Sequence, residues 1–149
     1  ADRWAINGCP VNGPAIDARG DAVGVARCTA AGGTPKTQIA FSSDGGASFS
    51  TPVRMNAAET FGRLHLALLD ADRALVSSLE RGANGAQIVV REAHRDGRLG
   101  APVVLGPATI DRSGGFARMA IAKGRAIVAW TEVRAGAEPR LRVVAAPLR

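Results

Sequence analysis

Histidine and arginine side chains stand at matching positions in two stretches of this sequence, where together they could hold an anion. His65 and Arg118 each follow a glycine by three residues. An arginine can hold a carboxylate or sulfate through two parallel hydrogen bonds, and a histidine can carry a proton near neutral pH. Arg63 lies beside His65, and Asp17 belongs to an earlier stretch of the same kind. We predict that these four residues form a charged channel for a small anionic or carbohydrate ligand; the alternative is that they only face water or pair with one another.

Three further acids, Asp70, Glu80 and Glu132, are candidates for a catalytic carboxylate pair. Glycoside hydrolysis needs two carboxyl groups roughly 5 to 9.5 Å apart, and nothing in the linear spacing of these residues brings two of them together. We therefore expect all three to be surface charges.

The two cysteines, Cys9 and Cys28, are too few for a disulfide scaffold or a thiolate metal cage. They can form one disulfide if the chain is exported, or remain two buried thiols. The two histidines, His65 and His94, have no recognisable ligand spacing with them. We predict neither a metal nor an organic cofactor.

The net charge of +6 comes from 19 basic and 13 acidic residues that are scattered along the chain. Nucleic-acid binding calls for clustered basic residues interleaved with aromatic ones, so we expect no nucleic-acid partner. No apolar run approaches the roughly 18 residues that cross a bilayer, and we expect no membrane partner. The first residue is alanine. Removal of a leader would favour a periplasmic or secreted location, and the compartment is otherwise open.

One segment follows the pattern Ser-x-Asp-x-Gly-x-x-aromatic, known as an Asp-box, with Ser42, Asp44, Gly46 and Phe49 at the defined places. A short acid in a hairpin turn can accept hydrogen bonds from the backbone of the turn, and glycine adopts a positive φ angle there at little cost. We predict that the motif is structural. Asp44 is then a turn acid on an outer rim and not a catalytic carboxylate, and Phe49 enters the core.

A run of small and β-branched residues recurs at intervals of about fifty residues, a length typical of one propeller blade. Each run is preceded by an apolar segment across a short turn and is followed by a third strand, and the first two units have a fourth. No helical periodicity is present, so the predicted class is all-β. The predicted strands span residues 15–18, 23–27, 37–41, 49–55, 64–69, 74–78, 87–93, 101–105, 119–122, 126–130 and 141–145.

Four antiparallel strands per unit are typical of the blades of a β-propeller. We predict a single domain over residues 1–149, with an N-terminal closing strand or linker at 1–12. The three four-stranded antiparallel blades span 13–58, 62–107 and 113–149, and the last of them lacks its outer strand. Trp130, on the second strand of the third blade, is predicted to be a core residue because large aromatic side chains are mostly buried.

The Asp-box at 42–49, the following Ser50–Val53 and the opening Gly8–Pro14 resemble the bacterial neuraminidase-repeat, sialidase-like propellers. The resemblance implies six blades, of which this chain holds three. Two chains could therefore close one ring as a homodimer, with Arg3–Ile6 of one chain adding a strand to the last blade of the other. The alternative is a complementary half that is a separate or missing polypeptide.

The resemblance also implies what an enzyme of this kind would need: an arginine cluster, a tyrosine nucleophile with a glutamate partner, and an aspartate acid/base. This sequence contains no tyrosine, so we predict a non-catalytic module. Two alternatives stay open. One is a glycosidase whose site is shared between chains, and the other is a structural ring that binds a protein through the loops at 30–35 and 134–139.

Overall fold

The computed structural model describes residues 4–5, 12–133 and 136–148. Within these ranges the chain forms eleven β-strands and no helix, so no helix there could span a membrane. The strands are β1 (Ala15–Arg19), β2 (Ala22–Thr29), β3 (Lys36–Ser42), β4 (Val53–Arg54), β5 (Thr60–Leu68), β6 (Arg73–Gly82), β7 (Gly85–His94), β8 (Val103–Ala108), β9 (Arg118–Ala122), β10 (Arg125–Glu132) and β11 (Arg140–Pro147).

The strands form three antiparallel sheets in which neighbours in sequence are neighbours in space. We call them blade 1 (β1–β4), blade 2 (β5–β8) and blade 3 (β9–β11), because their arrangement is propeller-like. Blades 1 and 2 have four strands each and blade 3 has three, as the sequence predicts. The predicted N-terminal closing strand falls mostly outside the described residues, and Trp4 and Ala5 belong to none of the strands.

The outer strand of blade 1 is shorter than predicted, because only Val53 and Arg54 of the predicted 49–55 pair with β3. Before them, the Ser50 hydroxyl accepts a hydrogen bond from the Phe41 N–H at 3.1 Å, so a side chain replaces a partner on the ladder. Pro52 then offers no N–H donor at all. Before the proline the Ser50 N–H still donates to the Phe41 carbonyl at 2.8 Å, and the regular ladder is limited to the two residues that follow the proline.

Two apolar cores lie between the blades. The first joins blades 1 and 2, and the second joins blades 2 and 3. Gly24 shows how closely the first two sheets approach, since a Cβ atom there would lie 3.1 Å from the Leu68 Cδ2 atom. Trp130 is 2% exposed within the second core, which confirms its predicted burial.

The outward faces of blades 1 and 3 have no covering sheet in the described part of the chain. Ile16 is 67% exposed on the first, and Leu141 and Val143 are 73% and 57% exposed on the second. Apolar side chains therefore lie open at both ends of the row of blades.

The turn after β3 is held together by the side chains of the Ser-x-Asp-x-Gly pattern. The Ser42 hydroxyl donates to the Asp44 carboxylate at 2.6 Å and accepts the Gly46 N–H at 2.9 Å. Ser48 donates its N–H and its hydroxyl to Asp44. These bonds, that of Ser42 foremost, lower the pKa of Asp44.

The expectation that Phe49 enters the core is wrong, because the residue is 46% exposed. A Cβ atom on Gly46 would lie 3.9 Å from the Phe49 ring, so the ring lies over the glycine of the turn. Phe41, fully buried eight residues earlier, occupies the core position instead.

Candidate functional site

The first strands of the three blades, β1, β5 and β9, line a common groove of about 290 Å³. Asp17 and Arg19 come from β1, His65 from β5, and Met119–Ile121 from β9. Arg118 is the first residue of β9, and its positive charge lowers the pKa of His65. The structure thus brings Asp17 and His65 together in one groove, which we call the inner groove, while Arg118 lies near His65 and lines a second groove.

Asp17 is fixed within the inner groove by backbone donors. One carboxylate oxygen accepts the Leu68 N–H at 2.8 Å, and the other accepts the Ala18 N–H at 2.9 Å. The first of these bonds ties blade 1 to blade 2. The two bonds fix the position of the Asp17 carboxylate in the same groove as His65.

His65 is half-buried, and its Nδ1 atom has no hydrogen-bond partner among the described residues. Burial lowers the pKa of His65, the positive charge of Arg118 lowers it further, and Asp17 opposes both. The imidazole is therefore neutral at pH 7. The unpaired Nδ1 atom is itself buried, so a ligand would meet the remaining part of the imidazole ring that lines the inner groove.

Arg118 extends from the exposed side of β9 and makes no hydrogen bond or ion pair with the residues that the structure describes. Arg19, on the opposite wall, donates from Nη1 to the Leu69 carbonyl at 3.0 Å. The inner groove is therefore lined by one anchored guanidinium and one carboxylate. The unpaired guanidinium of Arg118, close enough to influence His65, makes the local balance of charge positive.

Arg63 does not belong to this charged groove, so its predicted placement is wrong. It is only 7% exposed, and its guanidinium donates to the carbonyls of Thr109, Ile110 and Gly114. It also lies 4.5 Å from the centre of the Phe116 ring. Its side chain thus holds the loop between blades 2 and 3, and together with Arg118 it lines a second, smaller groove.

The reason for this misplacement is a β-bulge. The pairing of β5 with β6 shifts register on both sides of Gly62, and Gly62 and Arg63 both have positive φ angles, of 74° and 54°. A bulge interrupts the alternation of side chains along a strand. Arg63 is therefore turned towards the loop and away from the groove that His65 lines.

Glu80 and Glu132 are each 4% exposed, so the expectation that they are surface charges is wrong. Glu80 accepts the Ser78 hydroxyl at 2.9 Å, and Glu132 lies 3.8 Å from the Arg142 guanidinium. The two acids lie at equivalent positions towards the end of the second strand of successive blades, four residues after Val76 and Val128. Asp70 is partly buried in a turn and pairs with Arg73 at 2.7 Å.

Cys28 is a partly buried thiol whose pKa burial raises, and Cys9 lies outside the described residues. His94 pairs with Glu92 at 3.3 Å, away from the inner groove. Among the residues with described positions, no three histidines, cysteines or acids come together as a metal site.

The sequence matches no family model and no curated protein. The chemistry of the chain must therefore be argued from the inner groove itself. That groove offers a neutral histidine and a carboxylate held by two backbone N–H donors, with the unpaired guanidinium of Arg118 nearby, and the net positive charge suits an anion. It offers no tyrosine, since the sequence contains none.

Proposed function

We propose that this chain is a non-catalytic binding module of the sialidase-like kind, which holds a small anionic ligand in the inner groove. The ligand class is a carboxylate or sulfate, including those carried by acidic sugars. The observation that supports this most is that Asp17 of blade 1 and His65 of blade 2 line the inner groove, while Arg118 of blade 3 lies close enough to lower the pKa of His65.

Binding is favoured over catalysis because the described residues that line the inner groove include a single carboxyl group. That group is Asp17, which is held by two backbone N–H donors. Acid/base hydrolysis of a glycoside normally requires two carboxyl groups in cooperation.

Arg118 provides the test of the ligand class. Sulfate is the first probe because it stays fully charged across the pH range, and N-acetylneuraminic acid is the second, as an acidic sugar. We expect Arg118→Ala to weaken binding of both by about tenfold or more, since it removes a charge-assisted donor. Arg140→Ala is the matched control, because it removes an equal charge from an exposed position on β11. Titration by nuclear magnetic resonance gives the affinities.

The pH dependence follows from His65. The pKa of His65 lies below 6.5, the ordinary value for histidine. A bound anion would favour the protonated imidazolium form. Sulfate affinity should therefore rise as the pH falls from about 7.5 towards 5, and His65→Gln should flatten this slope. Equal sulfate affinity in wild type, Arg118→Ala and Arg140→Ala would contradict the proposal. Turnover of a fluorogenic sialoside that Arg118→Ala abolishes would favour an enzyme.

We further propose that a second copy completes the row of three blades to a six-bladed ring. Ile16 and Val25 on blade 1 and Ala129 and Val143 on blade 3 supply open apolar faces, and faces of this kind commonly mark interfaces. A two-fold pair would bury all four faces and would enclose two inner grooves in one channel.

Ile16→Asp tests this assembly because it places a charge on the open face of blade 1. Light scattering should give twice the 15.3 kDa mass of one chain for the wild type and the mass of one chain for the variant. A charge buried without a partner costs several kcal/mol, which predicts at least about a hundredfold loss of dimer affinity. Val104→Asp is the control, since Val104 is 54% exposed on the outer strand of blade 2. A wild-type monomer at micromolar concentration would end the dimer proposal.

A further inference from the structure

The outer edge of blade 3 carries free backbone groups. The Leu148 N–H donates to the Gly124 carbonyl at 2.9 Å. This bond shows which residue pairs of β10 and β11 are hydrogen-bonded and which are not. Because the bonded pairs of an antiparallel ladder alternate, Leu141, Val143 and Ala145 direct their N–H and C=O groups away from β10. No strand pairs with them within the described ranges.

Some backbone groups of this edge cannot pair with a further strand. Arg125 donates from Nη2 to the Ala145 carbonyl at 3.3 Å, and Pro147 has no N–H to offer. The usable edge therefore extends from Leu141 to the N–H of Ala145. That is roughly 17 Å of strand at about 3.4 Å per residue, enough for a short extended segment.

An apolar cleft of about 480 Å³ lies beside this edge, between blades 2 and 3. It continues the core between those blades, because several of its lining residues also belong to that core. The residues that matter most are Leu75, Val90, Val103, Leu105, Val128 and Val144. Val103 is 54% exposed at the mouth of the cleft.

The corresponding place between blades 1 and 2 is closed by two arginines. Arg91 donates to the Met55 carbonyl at 2.6 Å, and Arg95 donates to the Ser43 hydroxyl at 2.9 Å. Strand pairing places Arg91 opposite Val76 and Val144 opposite Val128, which are equivalent positions of successive blades. The change from arginine to valine leaves the cleft of blades 2 and 3 apolar and open.

We propose that the outer edge of blade 3 binds an extended segment of another polypeptide, which adds to β11 as an antiparallel strand and inserts apolar side chains into the cleft. Blades 1 and 2 each carry a strand at this place. The segment has apolar residues opposite Val144 and Ala146. It has an acidic residue opposite Arg142, because Arg140 and Arg142 expose two guanidinium groups there and the Glu132 that pairs with Arg142 is itself buried.

The probe is a fluorescently labelled synthetic peptide of about eight residues, with valine opposite Val144 and Ala146, glutamate opposite Arg142 and threonine between them. We expect saturable binding below about 1 mM. Bound peptide should slow hydrogen exchange at the amides of Leu141 and Val143 at least tenfold. Exchange in β9, the other edge of the same sheet, should not change. A peptide with lysine in place of the glutamate should bind more weakly.

Two variants separate the edge from the cleft. Val143→Pro removes an outward donor while leaving the pairing with β10, and Val103→Asp places a charge at the mouth of the cleft. Each should weaken peptide binding at least tenfold. Val104→Asp is the matched control, since Val104 has the same 54% exposure as Val103 but does not line the cleft. Its peptide affinity should equal that of the wild type.

Lack of binding at 1 mM, protection of β9 amides, or binding that survives both variants would overturn this proposal. Loss of the dimer in Val143→Pro, with Ile16→Asp still dimeric, would assign the edge to a second copy and would also overturn it. The inner groove and the open blade faces are not altered by Val103→Asp, so failure here is separable from failure of the proposed function.

Discussion

Arg63→Ala is expected to lower the free energy of unfolding by about 3 to 5 kcal/mol. The guanidinium is the donor for the carbonyls of Thr109, Ile110 and Gly114, which belong to the loop between blades 2 and 3. Alanine would leave these acceptors without their donor and would remove the stacking on Phe116. Urea denaturation followed by circular dichroism measures the loss.

Two other variants of Arg63 separate the loss of the guanidinium hydrogen bonds from the effect of backbone strain on stability. Arg63 has a φ angle of 54°, a conformation that costs most residues energy and costs glycine little. Arg63→Gly should therefore be about 1 kcal/mol less destabilising than Arg63→Ala. Arg63→Lys keeps the charge but cannot reach several carbonyls at once, so it should retain only part of the stability.

Arg118→Ala is the control for loss of charge, because Arg118 is exposed and lacks partners in the described structure. Its effect on stability should stay within about 0.5 kcal/mol. If Arg63→Ala cost no more than this control, the loop would not depend on the guanidinium.

The sequence predicts the sheets well because the signal is local and repeated. All eleven strands occur where alternating or continuous apolar runs predict them, since the alternation of strand residues is visible without knowledge of the packing. The outer strand of blade 1 is the exception. Ser50 and Pro52 remove ladder bonds there, which hydrophobicity alone does not show.

The inner groove could be predicted in part, for the same reason. Asp17, His65 and Arg118 lie on the first strands of successive blades, so the repeat alone brings them together. Arg63 could not be placed, because the bulge at Gly62 depends on the pairing of β5 with β6. The burial of Glu80 and Glu132 could not be predicted, because polar side chains are normally exposed and the burial of these two depends on packing in the folded chain.

Trp130→Ala is expected to cost about 3 to 5 kcal/mol, because it removes the largest fully buried side chain of the described structure. The indole lies in the core between blades 2 and 3, and its Nε1–H donates to the Pro107 carbonyl at 3.1 Å. Alanine would leave both a cavity and an acceptor without its donor. Trp130→Phe keeps most of the buried surface and loses the donor, so it should cost less. Circular dichroism during urea denaturation compares the variants.

Gly106 gives this prediction a stricter test, because a Cβ atom there would lie 3.1 Å from the Trp130 ring. Gly106→Ala should therefore destabilise the wild type by about 1 to 3 kcal/mol through overpacking. In the Trp130→Ala background the same methyl group would enter the cavity, and its cost should disappear. A double-mutant cycle then gives a coupling of about 0.5 to 3 kcal/mol. Additive effects would mean that the indole does not rest on β8, and that blades 2 and 3 are joined by other contacts.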